Sequence, residues 1–198
     1  VTDGHLRSCL AVVRSLGRQG ISVICGARTR FATAQYSKYT DQTFMYPSAE
    51  RSPSAFRDSL LSYLANNDRI DAVIPVGHYT TRCVSEYKGD FEEHTAVPVP
   101  EYEVFQHAWD KAQTFRTAAQ LGIPRPETMF PESVTVAVSA AETLGYPVVV
   151  KPRSGSGSRG LRFVENDEEL REAYASIVET DEPPLLQEMI PQDGEGIG

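Results

Sequence analysis

Lys151 closes an apolar run, Val148-Val149-Val150, and opens onto Pro152-Arg153-Ser154-Gly155-Ser156-Gly157-Ser158-Arg159-Gly160. The chain then returns to an apolar segment, LRFVEN, at 161–166. Small residues let backbone N–H groups come close to anionic oxygens, while Lys151, Arg153 and Arg159 add positive charge. The chemistry open to such a segment is to cover phosphate. Gly155, Gly157 and Gly160 spell GxGxxG, but a dinucleotide-binding turn runs from strand to helix, and here a second strand follows. A Walker loop would need Gly-Lys-Ser/Thr, which does not occur. Protein kinases also cover phosphates with a glycine-rich hairpin, yet their lysine lies on the strand after it, with HRD and DFG motifs downstream. Here Lys151 precedes the loop and neither motif is present. What remains is a phosphate-covering hairpin with its lysine on the entering strand, set against the plainer reading of a flexible hairpin tip.

Two further segments combine a glycine turn, hydrogen-bond donors and a helix start: DGHLRS at 3–8 and GHYTTR at 77–82. Ligands of open α/β sheets bind beyond the carboxyl ends of the strands, where helix N-termini can hold an anion. Asp3, His78, Thr80 and Arg82 are therefore candidate substrate contacts. The alternative for Asp3, Thr80 and Thr81 is helix capping. Cys9, Cys25 and Cys83 form no CxxC pair and sit beside apolar residues, as expected of buried free thiols. The four histidines share no metal-ligand spacing, so no metal site is expected within this chain.

The elements that must position these residues alternate. Residues 6–20 place Leu6, Cys9, Leu10, Val13 and Leu16 at helical spacing, and ISVICGA follows as a short strand. FRDSLLSYLANN reads as a helix, DAVIPVG as a strand, TTRCVSEYKG as a helix and TAVPVP as a strand. The aromatic-rich run FATAQYSKYTDQTFMYPS between them reads as a loop with anchoring tyrosines. Strands alternating with helices predict a parallel sheet. Such a sheet begins with a strand, of which VTDG retains only the end, so the first strand is expected to be largely missing. Beyond TAVPVPEYEVFQHA the pattern changes. WDKAQTFRTAAQLGIP is a helix ended by Gly122 and Pro124, ETMF a strand, SVTVAVSAAETLG a helix and YPVVVKP a strand. LRFVEN is a strand, DEELREAYASIVET a helix capped by Asn166, and LLQEMI a final strand. The resulting fold class is α/β in two domains, 1–107 and 108–198.

At 198 residues with 40% hydrophobic and 23% charged content, the composition is that of a globular protein. No apolar run approaches the roughly 20 residues that span a bilayer, and VTDGHLRS has no signal-peptide core. A cytoplasmic protein with no membrane partner is expected. A net charge of −8 argues against a nucleic-acid partner.

Taken in order, Asp110-Lys111, Lys151-Pro152 with SGSGSRG, and Gln187-Glu188-Met189-Ile190 followed by Glu195 resemble the ATP-grasp superfamily, over nearly the whole chain. The resemblance implies a Rossmann-like parallel-sheet domain preceding the ATP site, then a linking helix and a small α/β lobe with a glycine-rich hairpin. A strand that reads the adenine comes last. It implies that Lys111 and Lys151 contact nucleotide phosphates and that Arg153, Ser154, Gly155, Ser156, Gly157, Ser158, Arg159 and Gly160 close over them. Glu188 would accept from the adenine amino group, the backbone of Met189 and Ile190 would reach the ring edge, and Glu195 would hold the ribose.

The first domain is similar to that of carbamoyl-phosphate-synthase-like and amino-acid-ligase-like proteins. The cofactors implied are ATP, with ADP as product, and Mg²⁺. The activity implied is that of a carboxylate–amine or similar C–N ligase working through an acyl phosphate. In that family the magnesium ligands lie on a large lobe after the final strand, which this sequence does not reach. The sequence therefore reads as a fragment: weak nucleotide binding, no turnover by itself, and self-association as a homo-oligomer through the face that would meet that lobe. The catalytic residues and both substrates stay unassigned. The competing reading is a non-catalytic nucleotide-binding or scaffolding module.

Overall fold

The computed structural model describes residues 1–67, 69–155, 160–179 and 182–190. Ser156, Gly157, Ser158, Arg159 and Glu195, all assigned above to the nucleotide, lie outside them. The chain forms two compact units, Val1–Phe105 and Gln106–Gly198. The fold class is α/β, with parallel pairing in the first unit and antiparallel pairing in the second. Among the described residues no helix is long and apolar enough to cross a membrane.

In the first unit, helix α1 (Arg7–Arg18) buries Cys9 and Val13 and leads to strand β1 (Ile24–Ala27). β1 pairs in parallel with β2 (Gln42–Met45), which lies inside the segment expected to be a loop. The reason is visible in β2 itself. Gln42, Thr43 and Met45 are exposed, so the strand lacks the apolar signature by which strands are recognised. Val1 hydrogen-bonds one edge of β1 twice, donating to the Ile24 carbonyl at 2.9 Å and accepting from the Gly26 N–H at 2.8 Å. Thr2 N–H donates to the Ile74 carbonyl at 3.1 Å on the opposite side. The end of the expected first strand thus lies between β1 and the 71–77 segment. Beside it opens a cleft of about 340 Å³, lined in part by Ile21, Val23, Leu60, Leu64, Ile70 and Val73. Residues 71–77 were expected to form a full strand, but they contribute one parallel bridge, Ala72 with Ala96.

Helices α2 (Pro53–Ala65), α3 (His78–Glu86) and α4 (Lys88–Glu92) pack Phe56, Leu60, Val84 and Phe91 against Tyr46, Val73 and Val97. Cys9 and Cys25 join Val13, Val23 and Ala34 in a separate cluster. All three cysteines are buried and free. Helix α5 (Tyr102–Trp109) is unforeseen in the sequence; none of its residues is fully buried, although Tyr102, Phe105 and Trp109 recur at helical spacing and are half-buried.

The second unit opens with α6 (Lys111–Gln120), β3 (Thr128–Met129) and α7 (Val134–Leu144). It continues with β4 (Val148–Lys151), β5 (Arg162–Val164), α8 (Asp167–Val178) and β6 (Leu185–Glu188). Its sheet has the order β3-β6-β4-β5, and every pairing is antiparallel. Side chains alternate across a sheet. Val148, Val150, Val164 and Leu186 share one face and form the core with Ala137 and Ala141 of α7 and Leu170 and Ile177 of α8. Thr128, Gln187, Val149 and Lys151 take the other face by register.

Helix α8 begins with a reciprocal cap. Asn166 Oδ1 accepts from the Glu169 N–H and its Nδ2 donates to Glu169 Oε1, both at 3.0 Å, while Glu169 Oε2 accepts from the Glu165 N–H at 2.9 Å. Replacing Asn166 by alanine is expected to cost about 1 kcal/mol. Urea unfolding followed by circular dichroism reads this as a lower midpoint at unchanged slope.

Candidate nucleotide site

Lys151 ends β4 half-buried, on the sheet face opposite the two helices. Its ammonium donates to Gln187 Oε1. Burial lowers its pKa from the usual lysine value, because desolvation penalises the charged form.

Lys111 is the first residue of α6, and it ties that helix to the start of the glycine-rich loop. Its backbone N–H donates to the Arg153 carbonyl at 3.0 Å. Its ammonium reaches the carbonyls of Ser154 at 3.0 Å and Gly155 at 2.7 Å. The preceding residue, Asp110, caps α6 by accepting from the Ala112 N–H at 2.8 Å. Asp110 also accepts two bonds from Arg153, from Nε at 3.0 Å and from Nη2. Burial alone would raise the Asp110 pKa, but the Arg153 bonds and the Ala112 N–H outweigh it and hold the carboxyl below its usual range. Arg153 also pairs with Glu182. The sequence assigned Arg153 to the phosphates. In the structure its guanidinium braces the base of the loop against Asp110 and Glu182.

The described ends of the loop need glycine. Gly155 and Gly160 adopt φ of 88° and 74°, and a Cβ on Gly160 would stand 2.8 Å from Pro152 Cγ. Glu188 is exposed at the end of β6, where its Oε1 accepts from the Glu127 N–H at 2.7 Å. Met189 is half-buried and Ile190 exposed, both just beyond the strand. The structure thus brings Lys111, Arg153, Ser154 and Gly155 into one cluster. Lys151 stands at the same loop's entry, and Glu188 lies on the strand beside it.

The substrate candidates lie in the first unit. Asp3 and Thr80 do meet, but as a buried pair, 5% and 4% exposed. Thr80 Oγ1 lies 2.5 Å from Asp3 Oδ2, which also accepts from the Gly77 N–H at 2.7 Å. His78 starts α3 with its ring edge-on to Tyr79 at 5.1 Å. Arg82 is exposed on the same helix.

Sequence reasoning missed the roles of Gln187, Thr128, Asp110 and Glu182. For Gln187 one signal existed, an amide inside an otherwise apolar strand run, Leu185-Leu186. Arg153 and Asp110 are 43 residues apart, and no local spacing links them.

A β-sheet backed by two helices, with a lysine and a glycine-rich loop at the end of an inner strand, defines an α/β nucleotide-binding lobe. Residues 110–188 match the family described as carbamoyl-phosphate synthase L chain, ATP binding domain, an ATP-grasp domain. The chain is 40% identical over 79 aligned residues to the β subunit of an ADP-forming succinate–CoA ligase from Haloarcula marismortui, covering 38% of this chain and 20% of that one. Two solved structures share the fold. One is the biotin carboxylase domain of 2-oxoglutarate carboxylase from Hydrogenobacter thermophilus, a dimer in complex with MgADP, ADP and bicarbonate. Its TM-score is 0.66 and its identity 23%, covering 93% of this chain and 42% of that one. The other is N5-carboxyaminoimidazole synthetase from Staphylococcus aureus complexed with ADP. Its TM-score is 0.70 and its identity 18%, covering 96% of this chain and 46% of that one. The chain therefore spans less than half the length of these solved proteins and a fifth of the succinate–CoA ligase subunit.

Proposed function

We propose that this chain supplies the adenine strand and phosphate lid of an ATP-dependent carboxylate–amine, or similar C–N, ligase that works through an acyl phosphate. The observation that carries the reading is the placement of Lys151. It stands at the mouth of a glycine-rich loop, on the sheet face opposite helices α7 and α8, with Lys111 fixed to the same loop by backbone carbonyls. An ammonium there binds phosphoryl oxygens as a point charge. Loop N–H groups held by glycines at positive φ add donors. Glu188 and the strand end at Met189 and Ile190 suit the adenine edge, which offers both a donor and an acceptor.

Magnesium, when bound, neutralises charge on the phosphates. Among the described residues no group of three His, Cys, Asp or Glu side chains could hold such an ion. In this reading Lys111, Lys151 and the strand end at Glu188 bind and orient the nucleotide.

Thermal melts of the chain with ATP, ADP or adenosine at millimolar concentration, with and without magnesium, test the reading. ATP and ADP should raise Tm and adenosine should do so far less, because ligand binding stabilises by RT ln(1 + [L]/Kd), about 2.7 kcal/mol at 100 Kd. Identical melts in all samples would refute nucleotide binding.

A further inference from the structure

Strand β6 reads Leu185-Leu186-Gln187-Glu188, and Gln187 is 2% exposed. An amide buried this completely is unfavourable unless its polar atoms are bonded, and an apolar side chain would fill the position without that requirement. Both ends are bonded. Oε1 accepts from Lys151 Nζ, and Nε2 donates to Thr128 Oγ1 at 2.9 Å. Thr128 Oγ1 then donates to the Pro126 carbonyl at 2.8 Å.

The direction of this chain is dictated by its two ends. The Pro126 carbonyl can only accept, so the single threonine proton is used there, and Oγ1 is left to accept from the amide NH₂. The Lys151 ammonium can only donate, so it meets the amide carbonyl. The amide therefore cannot flip without setting its NH₂ against an ammonium. Sheet register makes the contacts possible. Thr128 stands opposite Gln187, Gln187 stands opposite Val149, and Lys151 lies two residues further along the same face of β4.

We propose that Pro126, Thr128 and Gln187 form a positioning relay for the Lys151 ammonium, and that Gln187 thereby sets affinity for the phosphoryl groups of a nucleoside di- or triphosphate without touching them. The inference rests on the reading of Lys151 as a phosphate contact. A lysine head on a flexible four-carbon stem loses much of its rotamer freedom when it binds. Gln187 restricts that freedom before the nucleotide arrives, so less is lost on binding.

The test compares Gln187→Met, which keeps the length but removes the acceptor, with Thr128→Val, which removes the hydroxyl, and Thr128→Ser, which retains it. Titration calorimetry gives the Kd for ATP, and ligand-observed NMR gives the affinity for adenosine. Gln187→Met should weaken ATP roughly tenfold and leave adenosine within about twofold, as for loss of a hydrogen bond that acts through a charged group. Thr128→Val should weaken ATP by roughly three- to fivefold, and Thr128→Ser should restore it. If Gln187→Met melts below the assay temperature, the Thr128 pair decides the matter in the same way. Equal losses for ATP and adenosine would mean a purely structural amide and overturn the relay. Unchanged ATP affinity in Gln187→Met and Thr128→Val, beside a large loss in Lys151→Ala, would overturn the relay while leaving the nucleotide reading intact. Wild-type ATP affinity in Lys151→Ala would instead overturn the nucleotide reading on which the relay depends.

Discussion

Lys151→Ala should abolish the protection that ATP gives the chain in thermal melts, while Lys88→Ala leaves it intact. Lys88 begins α4 and pairs with Glu92 and Glu101 at the surface of the first unit, so it controls for the loss of one positive charge. Lys151 differs in being half-buried and bonded to a buried amide. A charge-assisted hydrogen bond to phosphate is worth about 1.5–3 kcal/mol, which corresponds to a roughly 10- to 150-fold weaker Kd. Equal protection in the two variants would remove Lys151 from the site.

The pH dependence has a sign that sharpens this expectation. Burial lowers the Lys151 pKa in the folded chain below the ordinary 10.5. Between the lowered value and 10.5 the unfolded chain therefore binds more protons than the folded one. Stability of the nucleotide-free chain rises with pH across that window. Nucleotide protection moves the other way, because Lys151 loses its charge as pH climbs through its folded pKa. Melts with and without ATP over that window should converge in the wild type, and Lys151→Ala should remove the convergence.

What the sequence revealed, and what it hid, follows from how far apart the interacting residues lie. Strands β4 and β5 and helix α8 were legible because their signals are local. The valine run, the glycines and the Asn166 cap all fall within about one element of what they control. Strand β2 was hidden because three of its four side chains face outward. In the candidate site, Lys111 and Lys151 stood out as cations beside a helix start and a loop. The groups that hold the loop and Lys151 did not. Gln187 and Arg153 reach partners 36 and 43 residues away, and a glutamine or arginine read alone resembles any surface residue. Asp3 shows the same limit in the first unit. It reads locally as a cap or a ligand contact, yet its partners lie 74 and 77 residues downstream.

Those partners make Asp3 the most consequential side chain of the first unit. Its backbone φ is 65°, the left-handed region that asparagine and aspartate tolerate better than alanine. Its carboxylate receives the Thr2 hydroxyl at 2.5 Å and the Gly77 N–H at 2.7 Å, and Thr80 Oγ1 lies 2.5 Å away. Its own N–H donates to Tyr46 Oη at 2.7 Å. One residue thereby joins the end of the first strand to the start of α3 and to the aromatic cluster around Tyr46 and Phe56. Asp3→Ala would strand the Gly77 N–H in a buried site and place an alanine at positive φ. Losses of about 1–3 kcal/mol for an unsatisfied buried donor and roughly 1 kcal/mol or more for the backbone sum to about 2–4 kcal/mol. For a unit of this size that lowers Tm by more than about 10 °C. Asp3→Asn keeps the tolerated φ and one acceptor oxygen, so it should lose roughly half as much. Gly77→Ala should behave like Asp3→Ala, because its Cβ would stand 2.6 Å from the Asp3 carboxylate carbon. Urea unfolding of the three variants decides between the two readings of Asp3. A midpoint within error of wild type for Asp3→Ala would show that the buried network contributes nothing and return Asp3 to the candidate ligand contacts, whereas the expected order places it in the scaffold that presents His78 and Arg82 on α3.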